Sequence, residues 1–457
     1  MDYKDLYEKT SPAKLFAIVT IPGVISMLVS TLYQIIDGAI VGKILGSTAF
    51  AAVHLVMPLV VINFSIADLI GVGSSVPIAI KLGEKDEKAA SRIFSSACLL
   101  IVVLGAILGT ILFLSAEYLV RLMGADEEIV AMSAQYLRIY AVSSPFTTIM
   151  FAVDNYLRIC GKVRYSMFLN ILLSLISAGL EILFLLVFHF GIEGASLSTC
   201  IGMLICVIFA LIPFLRGKLQ LRFVKPQFDR KLLESILTNG APSFFNNTAG
   251  RITSIIVNIF LLRLGGATAV SAYGVLMYAD GLVLPVLYGL CDSLQPAIGY
   301  NYGAKNYSRI WAIERICFSV CGGLSVVMTA VMLLLKEPVV NIFVRAGDTA
   351  LIEMSVQALS LFAFTYLTRW ISMATQSYMS AIGKPGQATV ISLSLAFIFP
   401  NLFLFGLRTL GLNGLWLNTP LTSLIAAILA AALLWSHYKR EQKEAFAEAS
   451  KSSLNHV

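Results

Sequence analysis

Two apolar stretches of this sequence each carry a carboxylate at the end of a one-sided stripe of polar residues. Successive spacings of four, three and four residues place each stripe on one face of a helix. The first stripe ends at Asp37 and the second at Glu181. The members are Ser26, Ser30, Tyr33 and Asp37 in the first stripe, and Asn170, Ser174, Ser177 and Glu181 in the second.

A carboxylate within such an apolar stretch predicts ion chemistry. An ionised Asp at the centre of a bilayer costs at least ~2.5 kcal/mol, so intramembrane acids usually face a water-filled cavity or a functional partner. Clustered acids in a partly dry site can exchange protons near neutral pH. The same oxygens, with nearby hydroxyl groups, could instead bind Na⁺. The sequence leaves H⁺ and Na⁺ open as alternatives.

The composition is that of an integral membrane protein. Of the 457 residues, 58% are hydrophobic and 13% are charged, and the mean hydropathy is +0.84. Soluble domains carry about 25% charged residues. The seven cysteines show no metal-ligand spacing, so we interpret them as small core hydrophobes.

About twelve apolar segments are long enough to cross a bilayer core of ~30 Å. Most of the 33 Lys and Arg residues fall in the connections on one side of these segments. The positive-inside rule therefore predicts cytoplasmic termini and a cytoplasmic C-terminal tail. The first apolar run is too long for the h-region of a signal peptide, so we expect the first helix to stay in the membrane. Because the basic residues are spread over short loops, they argue against nucleic-acid binding.

The second half of the chain repeats the first at an offset of about 220 residues. The matching connections keep the same order, and they begin at Leu45 and Leu264, Lys81 and Asn301, Cys160 and Ile382, and Gly191 and Gly411. Six helices in each repeat predict parallel repeats around a central site, as in transporters. We expect an all-α membrane protein of two pseudo-symmetric six-helix lobes, residues 1–220 and 221–457.

The same connections resemble those of the multidrug and toxic compound extrusion (MATE) transporters. The motifs that resemble those of the family are Asn301-Tyr-Gly-Ala-Lys-Asn306 after Gln295-Pro296, the Leu-Gly-x-x-Ala-x-x-Ala connection, Arg158-Ile-Cys-Gly-Lys162 and Gly191-Ile-Glu-Gly-Ala195. The resemblance spans nearly the whole chain. It implies export of organic cations, often lipophilic drugs, driven by inward movement of H⁺ or Na⁺.

Within that family, the sequence is similar to the DinF-like branch, whose coupling acids lie in the first lobe. In that branch a helix-bending Pro precedes an Asp by fifteen residues, as Pro22 precedes Asp37 here. The branch also has an acid on the fifth helix, an Asn one turn before it and a Thr on the sixth helix. The matching residues are Glu181, Ser177 and Thr199, of which Glu and Ser depart from the usual Asp and Asn. We expect these four residues to bind the coupling ion, with Na⁺ at Asp37 and Glu181 as one alternative.

Polar residues on other predicted helices are candidates for a substrate cavity. Those candidates are Tyr33, Gln34, Asn63, Asp68, Tyr140, Asp154, Asn155, Asn247 and Arg369. Asp68 and Asp154 could equally lie near helix ends and have structural roles. We expect Arg251 and Arg369 inside the bundle, paired with Asp280 or Asp292, because a lipid-facing Arg is costly.

These observations predict a secondary active antiporter that exports cationic amphiphiles across the cytoplasmic membrane of a bacterium. We expect a multi-pass monomer in the lipid bilayer that uses no cofactor other than H⁺ or Na⁺. The sequence has neither a nucleotide-binding Gly-rich loop nor a nucleophile–base set, so we expect no enzyme activity. A flippase for lipid-linked precursors is an alternative that Arg251 and Arg369 keep open. A membrane receptor or scaffold is a second alternative, which the internal repeat disfavours.

Overall fold

The computed structural model describes the backbone of residues 3–344 and 348–454, with side chains as far as residue 441. These residues contain helices and no strand. In the first half the helices are α1 Pro12–Ile44, α2 Ser47–Gly83, α3 Glu87–Leu122, α4 Glu127–Thr147, α5 Ile149–Ile159, α6 Val163–Ile182 and α7 Gly191–Leu215. In the second half they are α8 Arg230–Asp292, α9 Gln295–Gly303, α10 Tyr307–Leu334, α11 Lys336–Phe343, α12 Thr349–Phe362, α13 Thr365–Ala381, α14 Pro385–Leu393, α15 Phe399–Gly406 and α16 Leu412–Leu454.

The predicted apolar segments lie largely on helical residues. Among the described residues, nine helices are long and apolar enough to cross a membrane, or ten if the bent pair α12 and α13 forms one span. One of the nine, Arg230–Gly303, includes α8, which breaks at Gly266, where φ is 63° and ψ is −160°. The apolar stretch at residues 129–157 is divided at Thr148 into α4 and α5. The number twelve and the cytoplasmic location of both termini remain predictions.

Residues that are equivalent in the sequence repeat also have similar backbone conformations. Lys85 and Lys305, which are equivalent in the repeat, both adopt the left-handed conformation, with φ of 64° and 58°. Gly191 and Gly411 are also equivalent, and their φ values are 62° and 61°. Because non-glycine residues seldom adopt positive φ, the agreement between the two lysines shows that the two connections turn in the same way.

One compact unit comprises Met1–Arg251, Asp280–Cys317 and Ser380–Pro385. In it, α3 packs on α2 and α4, while α7 packs on α4 and α6. Small, aliphatic and aromatic residues, mostly of α2, α3, α4 and α7, form a hydrophobic core that includes Ala52, Val56, Leu137 and Ala195. Burial of each larger side chain stabilises the fold by about 1.5–3 kcal/mol.

The other compact unit comprises Ile252–Ala279, Phe318–Met379 and Gly386–Val457. In this unit α16 packs against α12 and α15, and α11 packs against α12. Two hydrogen bonds, from Thr253 to the Ala396 carbonyl at 2.6 Å and from Asn401 to Thr253 at 3.2 Å, join residues far apart in sequence. The predicted lobes, residues 1–220 and 221–457, remain a prediction.

Within the first unit, α2 and α9 cross with their backbones in contact. A Cβ atom on Gly83 would lie 2.0 Å from the Tyr300 carbonyl oxygen, and one on Gly303 would lie 2.0 Å from that of Ile80. Gly83 is equivalent to Gly303 in the repeat, and Ile80 to Tyr300. The crossing is therefore reciprocal, and it requires glycine on both helices. We call this region, residues 80–87, 158–162 and 300–309, the junction.

The connection between α7 and α8 is attached to α3 by a ladder of serine hydroxyls. Ser91, Ser95 and Ser96 of α3 accept hydrogen bonds from backbone N–H groups of the connection. The donors are the N–H groups of Arg222, Val224 and Gln227, at 3.2, 2.9 and 3.1 Å. This basic segment is thus held along the first unit.

Candidate functional site

The two acids predicted for ion coupling meet inside the first unit. Helix α1 carries Asp37 and packs against α6, which carries Glu181. Glu181 is fully buried, and its carboxyl group interacts electrostatically with that of Asp37. Two acids at such short range cannot both be ionised without a large cost, so the pair is suited to sharing a proton or a cation.

Tyr33 joins the acid on α1 to the polar residues on α6 and α7. Its hydroxyl donates to Asp37 Oδ1 at 3.4 Å and shares a hydrogen bond of 2.8 Å with the Thr199 hydroxyl. It also interacts with the buried Ser177. All four residues predicted to bind the coupling ion therefore lie together, and Tyr33 connects them.

Helix α4 closes this cluster with two aromatic side chains. Tyr136 and Tyr140 are buried, and their ring centroids are 5.3 Å apart. Both interact electrostatically with Asp37. The two tyrosines belong to the hydrophobic core of the unit. Sequence reasoning placed Tyr140 in the substrate cavity and gave Tyr136 no role, although both lie on the same polar face of their segment.

Close packing of α7 against α6 limits the size of the side chain at residue 177, next to the acids. Gly202 of α7 faces α6 so closely that a Cβ atom there would lie 2.3 Å from the Ser177 hydroxyl oxygen. A longer side chain at residue 177 would meet the same backbone. The serine that replaces the usual asparagine thus fits the close contact between α6 and α7.

Pro22 lies within α1, which continues as a helix from Pro12 to Ile44. The Ser26 hydroxyl donates to the Pro22 carbonyl at 2.9 Å. Next to the proline, a Cβ atom on Gly23 would lie 1.8 Å from the Ser293 hydroxyl oxygen. Proline removes one backbone hydrogen bond and weakens the helix at this point. A bend at Pro22 remains a prediction.

The candidates for a substrate cavity are dispersed. Asn63 is buried and exchanges two hydrogen bonds with Ser144, at 2.8 and 3.1 Å, so its amide group is engaged within the unit. Gln34 and Asn247 are exposed. The remaining candidates are half-buried, namely Asp68, Asn155 and Arg369.

Asp154 is engaged in an ion pair. Its carboxylate lies 2.8 Å from the Arg158 guanidinium, and the side chains are only 13% and 8% exposed. Ser166 and Asn170 of α6 also donate to it, at 2.5 and 3.0 Å. Of the two roles that the sequence left open, the contacts favour the structural one.

The expectation for Arg251 is not met. The Arg251 side chain is exposed, and no hydrogen bond or ion pair joins it to Asp280, Asp292 or any other residue that the structure describes. Helix α8 places it three turns beyond Asn239, on the stretch before the break at Gly266. Its charge is therefore left for solvent or for a bound molecule.

Replacement of Tyr33 by Phe tests the connecting role of this hydroxyl. The ring and its packing are kept, while the bonds to Asp37 and Thr199 are lost. Since a hydrogen bond is worth about 1 kcal/mol, we expect the affinity for the coupling ion to fall about fivefold to tenfold. Ion-dependent quenching of protein fluorescence measures this affinity. An unchanged affinity in Tyr33→Phe would contradict the role.

A bundle of apolar helices with a buried, paired set of carboxylates defines an integral membrane protein of the transporter class. The family model described as MatE matches residues 22–183 and 242–403, which is well over half of the chain. The chain belongs to the MatE family. The two matches begin roughly 220 residues apart, as the internal repeat predicts. It is a multi-pass transporter of the cell membrane and not an enzyme.

Two curated relatives match over most of their length. The multidrug export protein MepA of Staphylococcus aureus (strain NCTC 8325 / PS 47) is 25% identical over 438 residues, covering 94% of this chain and 95% of MepA. MepA of Staphylococcus saprophyticus subsp. saprophyticus is 24% identical over 434 residues, again covering 94% and 95%.

Solved structures share the fold. A crystal structure of a MATE protein in the bent conformation superimposes with a TM-score of 0.90 at 22% identity, covering 98% of this chain and 99% of that chain. A MOP superfamily transporter from Pyrococcus furiosus, described as having a binding pocket of reverse polarity, gives a TM-score of 0.88 at 22% identity, covering 96% and 97%.

Proposed function

We propose that this protein is a secondary active antiporter that exports cationic amphiphilic drugs in exchange for H⁺ or Na⁺. The observation that carries the proposal is that the half-buried Asp37 meets the fully buried Glu181 in one cluster. Tyr33, Ser177 and Thr199 complete this cluster. The relatives named multidrug export proteins support the choice of substrates. Twelve spans, two six-helix lobes, cytoplasmic termini and a monomeric carrier belong to the same proposal.

The proposed transport cycle depends on the charge of the two acids. When they are ionised, mutual repulsion and the cost of burial favour a wet site next to the organic cation. Uptake of H⁺ or Na⁺ removes that charge, allows α1 to bend or rotate at Pro22, and shrinks the cavity beside α1. The substrate is then expelled, and the empty carrier returns. The ion and the substrate are coupled because each favours a different arrangement of α1.

The test is uptake of a fluorescent organic cation into inside-out proteoliposomes. A proton gradient and a sodium gradient are imposed separately, with protein-free liposomes as the control. Uptake above the control under one gradient would establish antiport and identify the ion. Uptake that is equal to the control under both gradients would contradict the proposal.

A flippase for lipid-linked precursors is the second candidate, and the observation that favours it is the exposed Arg251. An uncompensated guanidinium within an apolar helix could bind the phosphate of a lipid-linked precursor. Export of a labelled precursor that requires Arg251, together with no transport of organic cations, would favour this function.

A further inference from the structure

The N-terminal segment, residues 3–10, is folded into the junction. Its helical turn, Asp5–Lys9, precedes α1, and Tyr3, Leu6 and Tyr7 are each no more than 2% exposed. This segment therefore has a specific binding site on the protein.

One part of that site lies in the first half of the chain. The Tyr3 hydroxyl donates to Glu87 Oε1 at 3.1 Å, and Lys4 Nζ lies 3.6 Å from the same carboxylate oxygen. The Tyr7 hydroxyl donates to the Arg158 carbonyl oxygen. The Arg158 side chain in turn is paired with Asp154 within α5, and Asp154 accepts hydrogen bonds from Ser166 and Asn170 of α6.

The other part of the site lies in the second half of the chain. The Tyr300 ring contacts the rings of Tyr3 and Tyr7, with centroids 5.7 and 5.6 Å away. The Tyr300 hydroxyl donates to Glu8 Oε1 at 2.6 Å. Aromatic pairs at these distances add stability beyond the burial of their surface.

Backbone carbonyl groups of the segment are held by two further residues of the second half. Asn301 Nδ2 donates to the Tyr7 carbonyl at 3.2 Å, and Arg309 Nε donates to the same carbonyl at 2.8 Å. Arg309 also donates to the Thr10 carbonyl, and its charge is attracted by Glu8. Charge-assisted bonds are roughly twice as strong as neutral ones.

We infer that residues 3–10 form a latch that holds the junction closed by binding residues of both halves, and that the junction opens only when the latch releases Tyr300, Asn301 and Arg309. The crossing of α2 and α9 at Gly83 and Gly303 places the two halves in backbone contact at this point. Separation of these helices pulls Glu87 and Arg158 away from Tyr300 and Arg309. The latch cannot then keep its bonds to residues of the first half and to residues of the second half at the same time.

The latch stays with the first half because it is continuous with α1. Its bonds to the second half then determine how often the junction opens. In terms of the proposed function, the latch sets the balance between states that are closed and open at this end. The latch itself follows from contacts in one compact unit and not from any property of the substrate or coupling ion.

Thiol labelling of purified protein tests the latch without transport. The seven native cysteines are replaced by Ala, and Ala79→Cys provides a reporter. Ala79 is 3% exposed, and a Cβ atom on Gly299 would lie 3.1 Å from its Cβ atom, so the reporter is covered while the junction is closed. The labelling rate by a maleimide then measures the population of the open junction.

Arg309→Gln removes the charge-assisted bonds to the latch and should raise the labelling rate on the order of tenfold. Arg315→Gln is the matched control, because Arg315 is an exposed residue of the same helix, α10. Glu8→Ala should also raise the rate, whereas Glu84→Ala, which removes a bond within the first half to Lys81, should not. Equal labelling in Arg309→Gln and Arg315→Gln, in proteins with unchanged melting temperatures, would overturn the latch.

A failure of the latch can be distinguished from a failure of the proposed antiport. Labelling depends only on opening of the junction, whereas uptake into proteoliposomes depends on substrate and ion. Normal antiport with no effect of Arg309→Gln on labelling would reject the latch alone. Faster labelling in a protein that transports no organic cation would reject the antiporter and keep the latch.

Discussion

Asn in place of Asp37 yields a protein that folds and binds substrate but does not export it against a gradient. Asn keeps the size of the side chain and a bonding partner for Tyr33, while it can neither take up a proton nor supply a negative charge. An ion that binds both arrangements of α1 equally cannot shift their populations. We expect gradient-driven uptake into inside-out proteoliposomes to fall by about two orders of magnitude.

The control for Asp37→Asn is Glu193→Gln, which neutralises an exposed acid in the first turn of α7. Both variants are compared by thermal unfolding in detergent before transport is measured. Asp37→Asn should melt at or above the temperature of the unmodified protein, because the cost of burying a charge is removed. Full gradient-driven uptake by Asp37→Asn would exclude this carboxylate from ion coupling.

Met in place of Arg158 should be among the most destabilising single changes in the first unit. The substitution keeps an unbranched apolar stem but leaves the Asp154 carboxylate buried without its counter-charge. Breaking a buried pair by removal of one partner costs about 3–5 kcal/mol. The free energy of unfolding in detergent, followed by helical circular dichroism, measures this effect.

Two further variants make the Arg158→Met result specific to the pair. The double variant Asp154→Asn with Arg158→Met removes both charges and should recover a large part of the stability that Arg158→Met loses. Arg121→Gln breaks an exposed ion pair with Glu127, in which the side chains are 52% and 75% exposed, and should cost less than about 1 kcal/mol. If Arg158→Met lowers the free energy of unfolding by no more than Arg121→Gln does, that result would contradict a structural role for the pair.

Regular spacing made the acids of the site predictable. Asp37 and Glu181 each end a stripe with helical spacing, and that spacing predicted that Asp37 shares a helix face with Tyr33 and Glu181 shares one with Ser177. The equivalence of Lys85 and Lys305 was also predictable, because a repeat in sequence implies a repeat in backbone conformation. These features depend on residues within one helix or one connection.

The remaining features depend on contacts between residues far apart in sequence. Tyr33 was placed in a substrate cavity, because nothing in its own segment showed that Thr199 would lie 2.8 Å away. The structural role of Asp154 depends on hydrogen bonds from Ser166 and Asn170, which lie on the next helix. The latch joins Tyr7 to Arg309, and neither residue lies in a pattern that predicts the other.

The most direct test of ion coupling at Asp37 and Glu181 is substrate binding to the purified protein at varied pH and Na⁺ concentration. Binding of a fluorescent organic cation is followed by anisotropy in the unmodified protein and in the double variant Asp37→Asn with Glu181→Gln. If the acids bind the coupling ion, either a fall in pH or a rise in Na⁺ concentration weakens substrate binding in the unmodified protein, because linkage is reciprocal. That dependence disappears in the double variant. The same dependence in both proteins, or none in the unmodified protein, would contradict ion coupling at these two residues.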